Sequence, residues 1–232
     1  MYNSIDEVMP ILEKKGFNIS DPWDIVDAFE SIIADFAGSK YAVSCDSCTN
    51  AMFMSLKYLN AKGTITLPKK TYLSVPGMVI HAGCSIKFNE IEWSGTYQLN
   101  PYPIIDGATR FTKGMYEKGT FHCLSFHIKK ILPICKGGMI LTDDIDAANW
   151  FRLARYEGRN YRIAHNSIDD INIIGWNFYM PPEQAARGIV LFEKIPEVNE
   201  DSGGSWSYTD LSGFTAWEGN VVNSLIKKND NN

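Results

Sequence analysis

Residues 122–138 read His122-Cys123-Leu124-Ser125-Phe126-His127-Ile128-Lys129-Lys130-Ile131-Leu132-Pro133-Ile134-Cys135-Lys136-Gly137-Gly138. The apolar run 122–126 has the length and character of a buried strand, and residues 138–141 have the same character. A serine and two lysines follow the first strand, and a glycine pair precedes the second. Outward from this stretch the rhythm alternates. Upstream, short apolar runs at 41–43, 64–67, 84–88 and 103–105 read as strands. Helical stripes at 22–37, 49–59 and 72–81 lie between them. Downstream, residues 143–158 place Trp150, Leu153 and Ala154 on one helical face. Residues 181–195 open on Pro181-Pro182 and bring Ile189, Val190 and Phe192 together. Strands alternating with helices predict an α/β domain with a mostly parallel sheet. In such sheets ligands sit at the carboxyl ends of the strands, so residues at strand ends carry the functional weight.

Composition narrows the function. The chain has 232 residues, 45% of them apolar, enough to bury a substantial core. Twenty-two basic against 27 acidic residues give a formal charge of −5, which argues against nucleic-acid binding through a basic footprint. No apolar stretch reaches the roughly 18 residues of a membrane span, and no signal peptide is evident at the N-terminus. Five cysteines, an odd number, fit reduced thiols in a cytoplasmic protein. Cys45 and Cys48 form a lone C-x-x-C with no second pair at zinc spacing, so packed thiols are expected and no metal site. Ser20 or Asp21 should cap the helix at Pro22. After Pro196 the chain turns acidic and glycine-rich. Trp206, Tyr208, Phe214 and Trp217 suggest a docking segment, and the polar end, 227–232, is expected to be disordered.

Four clusters could carry chemistry. Ser44 to Asn50 places hydroxyls and free amides at a helix start, an arrangement that attracts anions. Taken alone it is more simply a helix cap. Asp106 ends a strand in Ile104-Ile105-Asp106-Gly107-Ala108, where a solvated loop carboxylate would look the same. Lys129 and Lys130 follow Ser125, and a lysine against apolar walls can act as an amine nucleophile. On sequence alone, two surface lysines are the plainer reading. His127 is more often a packed or hydrogen-bonded histidine than a base. Asn177, among Trp176, Phe178 and Tyr179, suits a contact loop or an Asx turn.

Taken together and in order, these clusters resemble the DegT/DnrJ/StrS family of pyridoxal phosphate (PLP)-dependent nucleotide-sugar aminotransferases. The matching residues are Phe29-Glu30, Phe36-Ala37, Lys40-Tyr41-Ala42-Val43, Ser47-Cys48-Thr49-Asn50-Ala51, then Pro68, Thr71 and Tyr72, then Asp106 and Ala108. Cys123, Ser125, Phe126, His127, Lys130, Leu132, Gly137 and Gly138 match the lysine motif, whose spacing selects Lys130 over Lys129. Gly175 to Met180 matches a further motif. The resemblance covers roughly residues 16–194.

The resemblance implies the large domain of PLP-dependent transferase fold type I over residues 1–196, with a mostly parallel central sheet flanked by helices. The short segment 197–232 would follow it, with the family's C-terminal small domain largely missing. It also implies a Schiff base between PLP and Lys130, with Asp106 beside the pyridine nitrogen and Tyr72 stacked on the ring. Ser47, Cys48, Thr49 and Ser125 would surround the phosphate, Thr109 would lie near the cofactor hydroxyl, and Asn177 would reach the site of the neighbouring subunit in a homodimer. The substrates would be a nucleotide-linked keto-sugar and an amino-acid donor such as glutamate. Cys48 stands where the family has glycine, Thr109 where it has glutamine or histidine, Tyr179 where it has arginine, and Lys136 where it has glutamate. An alternative is a non-catalytic or accessory dimer of the same fold. A dehydratase of the family would carry histidine in place of Lys130.

Overall fold

In the computed structural model, residues 4–164, 166–167 and 170–222 are described; the expectation for residues 227–232 lies outside them. The helix α2 (Pro22–Ala37) follows from its ends inward. Asp21 accepts from Trp23 N at 2.8 Å, Asp24 returns a bond to Asp21 N at 2.9 Å, and Pro22 occupies the first turn. Gly38, at φ 84°, closes the other end, a conformation that costs glycine little. The remaining elements are α1 (Ser4–Lys14), β1 (Tyr41–Cys45), α3 (Cys48–Tyr58), β2 (Thr64–Pro68), α4 (Ser74–His81), β3 (Ser85–Asn89), β4 (Tyr97–Gln98), β5 (Ile104–Asp106), β6 (Phe121–Ser125), β7 (Gly138–Thr142), α5 (Ile145–Ala154) and α6 (Pro182–Phe192).

The α/β architecture is as expected, but the sheet is mixed rather than mostly parallel. Five strands run in the order β1-β7-β6-β5-β4, and β2 and β3 form a separate parallel pair. β5 and β6 are parallel, whereas β7 runs antiparallel to both β1 and β6, and β4 antiparallel to β5. The cause is the connection between β6 and β7. It contains no helix, so the chain returns beside itself instead of crossing over the sheet. Side-chain alternation then buries both faces. Val43, Cys123 and Ile140 pack with α3, α4 and α5 on one side. Ala42, Leu124 and Leu141 pack with α1, α2 and α6 on the other.

Buried polar groups interrupt this packing, Glu30 and His122 among them. Glu30 on α2 accepts from Ser44 N and Ser44 Oγ, each at 2.9 Å, and from Arg155 Nη1 just past α5. His122 on β6 is fully buried, and neither ring nitrogen has a partner among the described residues. Burial, reinforced by the Arg110 charge, pulls its pKa down to about 4 from 6.5. The folded-state pKa is depressed, so its stabilising contribution is fully present above about pH 6.5. It is lost as pH falls toward 4. Urea melts from pH 7 to pH 4 should lose about 3 kcal/mol more in the wild type than in His122→Leu. Parallel pH profiles for the two proteins would refute this assignment.

The C-terminal segment docks through its backbone, Tyr208 and Trp217, whereas Trp206 and Phe214 stay exposed. Ser202 N donates to Thr109 O, Ser205 N to Trp93 O and Leu211 N to Lys69 O, at 2.8–2.9 Å. Asp201 takes a two-pronged contact from Arg110 at 2.7 and 2.8 Å. Trp217 is buried in the core that includes α4. No helix among the described residues is long and apolar enough to cross a membrane.

Candidate active site

A cavity of about 630 Å³ opens at the carboxyl ends of β1, β2, β5 and β6. Because β7 is antiparallel, its amino end reaches the same rim, and this brings the glycine pair beside the strand ends. Gly138 is required there. A β-carbon at 138 would lie 2.2 Å from Ser47 C and 2.4 Å from Cys48 N, so the first turn of α3 rests directly on this strand. Ser47 caps α3 by accepting from Asn50 N. Thr49 Oγ1 and Ser74 Oγ share a hydrogen bond of 2.7 Å, and Asp46 is paired with Lys136 at 3.3 Å.

The loop 126–137 carries the lysine. Phe126, Leu132 and Ile134 are buried beneath it, and Phe126 N donates to Gly137 O at 2.9 Å, so both legs are fixed. Lys130 N donates to His127 O in the turn at the tip. Lys130 is half-buried and Lys129 exposed, although both line the cavity. His127 is exposed and also lines it, and its Nδ1 accepts from Lys129 N at 3.4 Å.

Asp106 is 5% exposed at the cavity wall. Its Oδ1 accepts from Ala108 N at 2.9 Å and its Oδ2 from the Tyr97 hydroxyl at 2.7 Å. Burial raises its pKa, while Tyr97, Ala108 and the Lys130 charge oppose that rise. The Cys48 Sγ lies 3.9 Å from Oδ1, and burial followed by the Asp106 charge pushes this thiol well above its usual range. It is therefore a neutral wall group. All five thiols are free, and Cys45 is as inert as Cys48, its pKa pushed up to about 12 by burial.

Of the residues singled out in the sequence, Ser47, Cys48, Thr49, Tyr72, Asp106, Thr109, Ser125 and Lys130 line this one cavity. The Thr109 hydroxyl donates to Gly203 O at 2.9 Å and to Gly95 O at 3.1 Å, fastening the C-terminal segment. Tyr72 is 57% exposed, with its ring edge-on to Tyr208 at 6.4 Å. Asn177 does not line the cavity. Its amide donates to Glu157 at 2.8 Å on the surface. Sequence reading missed Trp93, Ser202, Ser207 and Tyr208 in the wall. Tyr208 stacks on Trp93 at 5.6 Å, and burial, then the Asp106 charge, pushes its hydroxyl up to about 12.

The donor set fits PLP. A buried carboxylate suits the pyridine nitrogen, hydroxyls at a helix start suit the phosphate, and a half-buried amine suits the aldehyde.

Comparison with known proteins agrees. The model of the DegT/DnrJ/EryC1/StrS aminotransferase family matches residues 5–117 and 107–210. GDP-perosamine synthase of Caulobacter vibrioides is 25% identical over 223 residues, spanning 77% of this chain and 59% of that protein. The spore coat polysaccharide biosynthesis protein SpsC of Bacillus subtilis is 25% identical over 231 residues, spanning 75% of this chain and 58% of that protein. The chain thus covers under two thirds of these relatives. The crystal structure of the sugar aminotransferase CalS13 from Micromonospora echinospora superposes with a TM-score of 0.65 at 15% identity. The match covers 84% of this chain and 66% of that one, and shows the shared fold.

Proposed function

The chain belongs to the DegT/DnrJ/EryC1/StrS aminotransferase family, and from that premise we propose that it is a PLP-dependent aminotransferase acting on a nucleotide-linked keto-sugar, with an amino acid such as glutamate as donor. The observation that carries this reading is the placement of the buried Asp106 carboxylate and the Lys130 amine in one cavity lined by hydroxyls. Bound PLP would supply the electron withdrawal that acidifies a C–H bond of the substrate. Asp106, negatively charged, would favour a protonated ring nitrogen. Ser125 and the first turn of α3, with Ser47 and Thr49, would hold the phosphate. Tyr72 would lie over the ring. The Lys130 amine would carry the proton between the substrate carbon and C4′ of the cofactor.

In this proposal Asn177 serves a neighbouring subunit, in keeping with its place on the surface away from its own cavity, and the protein acts as a homodimer. Five free thiols fit a reducing cytoplasm.

The test is chemical. Borohydride reduction of the PLP-treated protein should fix a pyridoxyl group on the peptide containing Lys130, and glutamate should convert the bound cofactor to pyridoxamine phosphate. Label on another lysine, or none, would refute the reading. Label on Lys130 without conversion by any amino acid would favour the accessory dimer.

A further inference from the structure

Tyr97 belongs to β4, a two-residue strand paired with β5 so that Tyr97 stands opposite Asp106. Its ring is buried beside Trp93, with centroids 4.8 Å apart. It does not line the cavity itself, and acts there through its neighbours Asp106, Thr71 and Trp93, which do. Its hydroxyl lies 2.7 Å from Asp106 Oδ2 and 2.5 Å from Thr71 Oγ1, and Thr71 is also buried. A tyrosine hydroxyl has one proton. When that proton goes to the carboxylate, the Thr71 hydroxyl must donate to the tyrosine oxygen. The direction of the chain is therefore fixed: Thr71 to Tyr97 to Asp106. Each donation polarises the next, and the low-dielectric surroundings strengthen both.

Resting on the cofactor reading above, we propose that Tyr97, oriented by Thr71, is the positioning residue that aims Asp106 and keeps it ionised for a ring nitrogen. Oδ1 is tied by the Ala108 amide, and Oδ2 keeps a lone pair beyond the one Tyr97 uses. The phenol thus fixes the carboxylate's rotation and leaves one direction open. Among the described residues, Cys48 from α3, Cys123 from β6, Lys130 from the loop and Tyr208 from the C-terminal segment also interact with Asp106. Lys130 is the cation among them. Tyr97 is the neutral donor that opposes the effect of burial most.

The experiment reads Asp106 itself. Carbon-13 NMR of the labelled protein without cofactor follows the carboxyl midpoint, and a parallel titration follows PLP affinity. Tyr97→Phe keeps the ring and should raise the midpoint by about one unit and weaken PLP about tenfold, the effect of one hydrogen bond to a charge. Thr71→Val should move both the same way by less, and Thr71→Ser should restore them. In the wild type the Tyr97 hydroxyl proton should be visible and slow to exchange. An Asp106 midpoint unmoved in folded Tyr97→Phe, or no protected hydroxyl proton in the wild type, overturns the proposal even if PLP labels Lys130. A moved midpoint with no label on Lys130 would instead sustain the contact and sink the cofactor reading, and with it the purpose assigned to Tyr97.

Discussion

Lys130→Ala should lower the rate of PLP-to-pyridoxamine phosphate conversion by a factor on the order of 10²–10⁴, the usual contribution of a positioned acid–base group. Lys129 is not expected to substitute. The two lysines are adjacent in sequence, but Lys130 is half-buried at the tip of a loop whose legs are pinned by Phe126 and Ile134, whereas Lys129 is exposed. Loss of charge and loss of the amine can be separated. Lys130→Arg keeps a cation near Asp106 but has no usable amine at neutral pH. It should be as slow as alanine, while added methylamine should partly rescue the alanine variant alone. The readout is single-turnover conversion in glutamate, with circular dichroism to confirm the fold. Conversion by Lys130→Ala at the wild-type rate would remove Lys130 from the chemistry.

The second large effect concerns stability. Arg155 is 1% exposed and donates to Glu30, to Ser44 O at 2.6 Å and to Ser44 Oγ at 2.9 Å. Three elements, α2, β1 and the end of α5, meet on these contacts. Arg155→Leu leaves the buried Glu30 carboxylate with the Ser44 donors and the longer 3.7 Å ion pair to Arg152, and loss of its closest cation costs about 3 kcal/mol. Glu30→Gln should cost a comparable amount, because the arginine then loses its counter-charge. Replacing both residues by apolar ones of similar volume should recover much of the loss, since desolvating a buried pair offsets much of its attraction. Guanidinium melts of the two single variants and the double variant test this. Single losses below about 1 kcal/mol would show that the pair contributes little.

The parts of the fold legible in the sequence were those with local causes. The helix α2 has its cap, its proline and its terminal glycine in one continuous stretch, and its bounds are those expected. The strand ends carrying Asp106 and Ser125 were legible for the same reason, and a motif with fixed spacing singled out Lys130. Strand direction was not legible. β6 and β7 are short apolar runs whose composition is the same either way, and only the helix-free connection makes them antiparallel. β4 is two residues long, too short to show a period, so Tyr97 went unnoticed although it touches Asp106. The helix α1 was hidden by Pro10 in its middle, where packing of Val8 and Leu12 in the core outweighs the local cost. The helix expected over 143–158 ends at Ala154, and the backbone then passes through positive φ at Glu157 and Gly158. Tyr208 and its neighbours reach the cavity through pairings with residues more than 90 positions away, such as Thr109 with Ser202 and Gly203, which no local pattern records.

The reversal of β7 has a consequence for how this site tolerates change. Both roots of the lysine loop are embedded in adjacent strands, one hydrogen-bonded to the other, so the span between them behaves as a closed arch. Residues gained or lost at its crown would alter how far the amine projects without moving the strand end that bears the opposing carboxylate. Reach and the acid's placement are thus governed by separate pieces of chain, coupled only through the ammonium's charge.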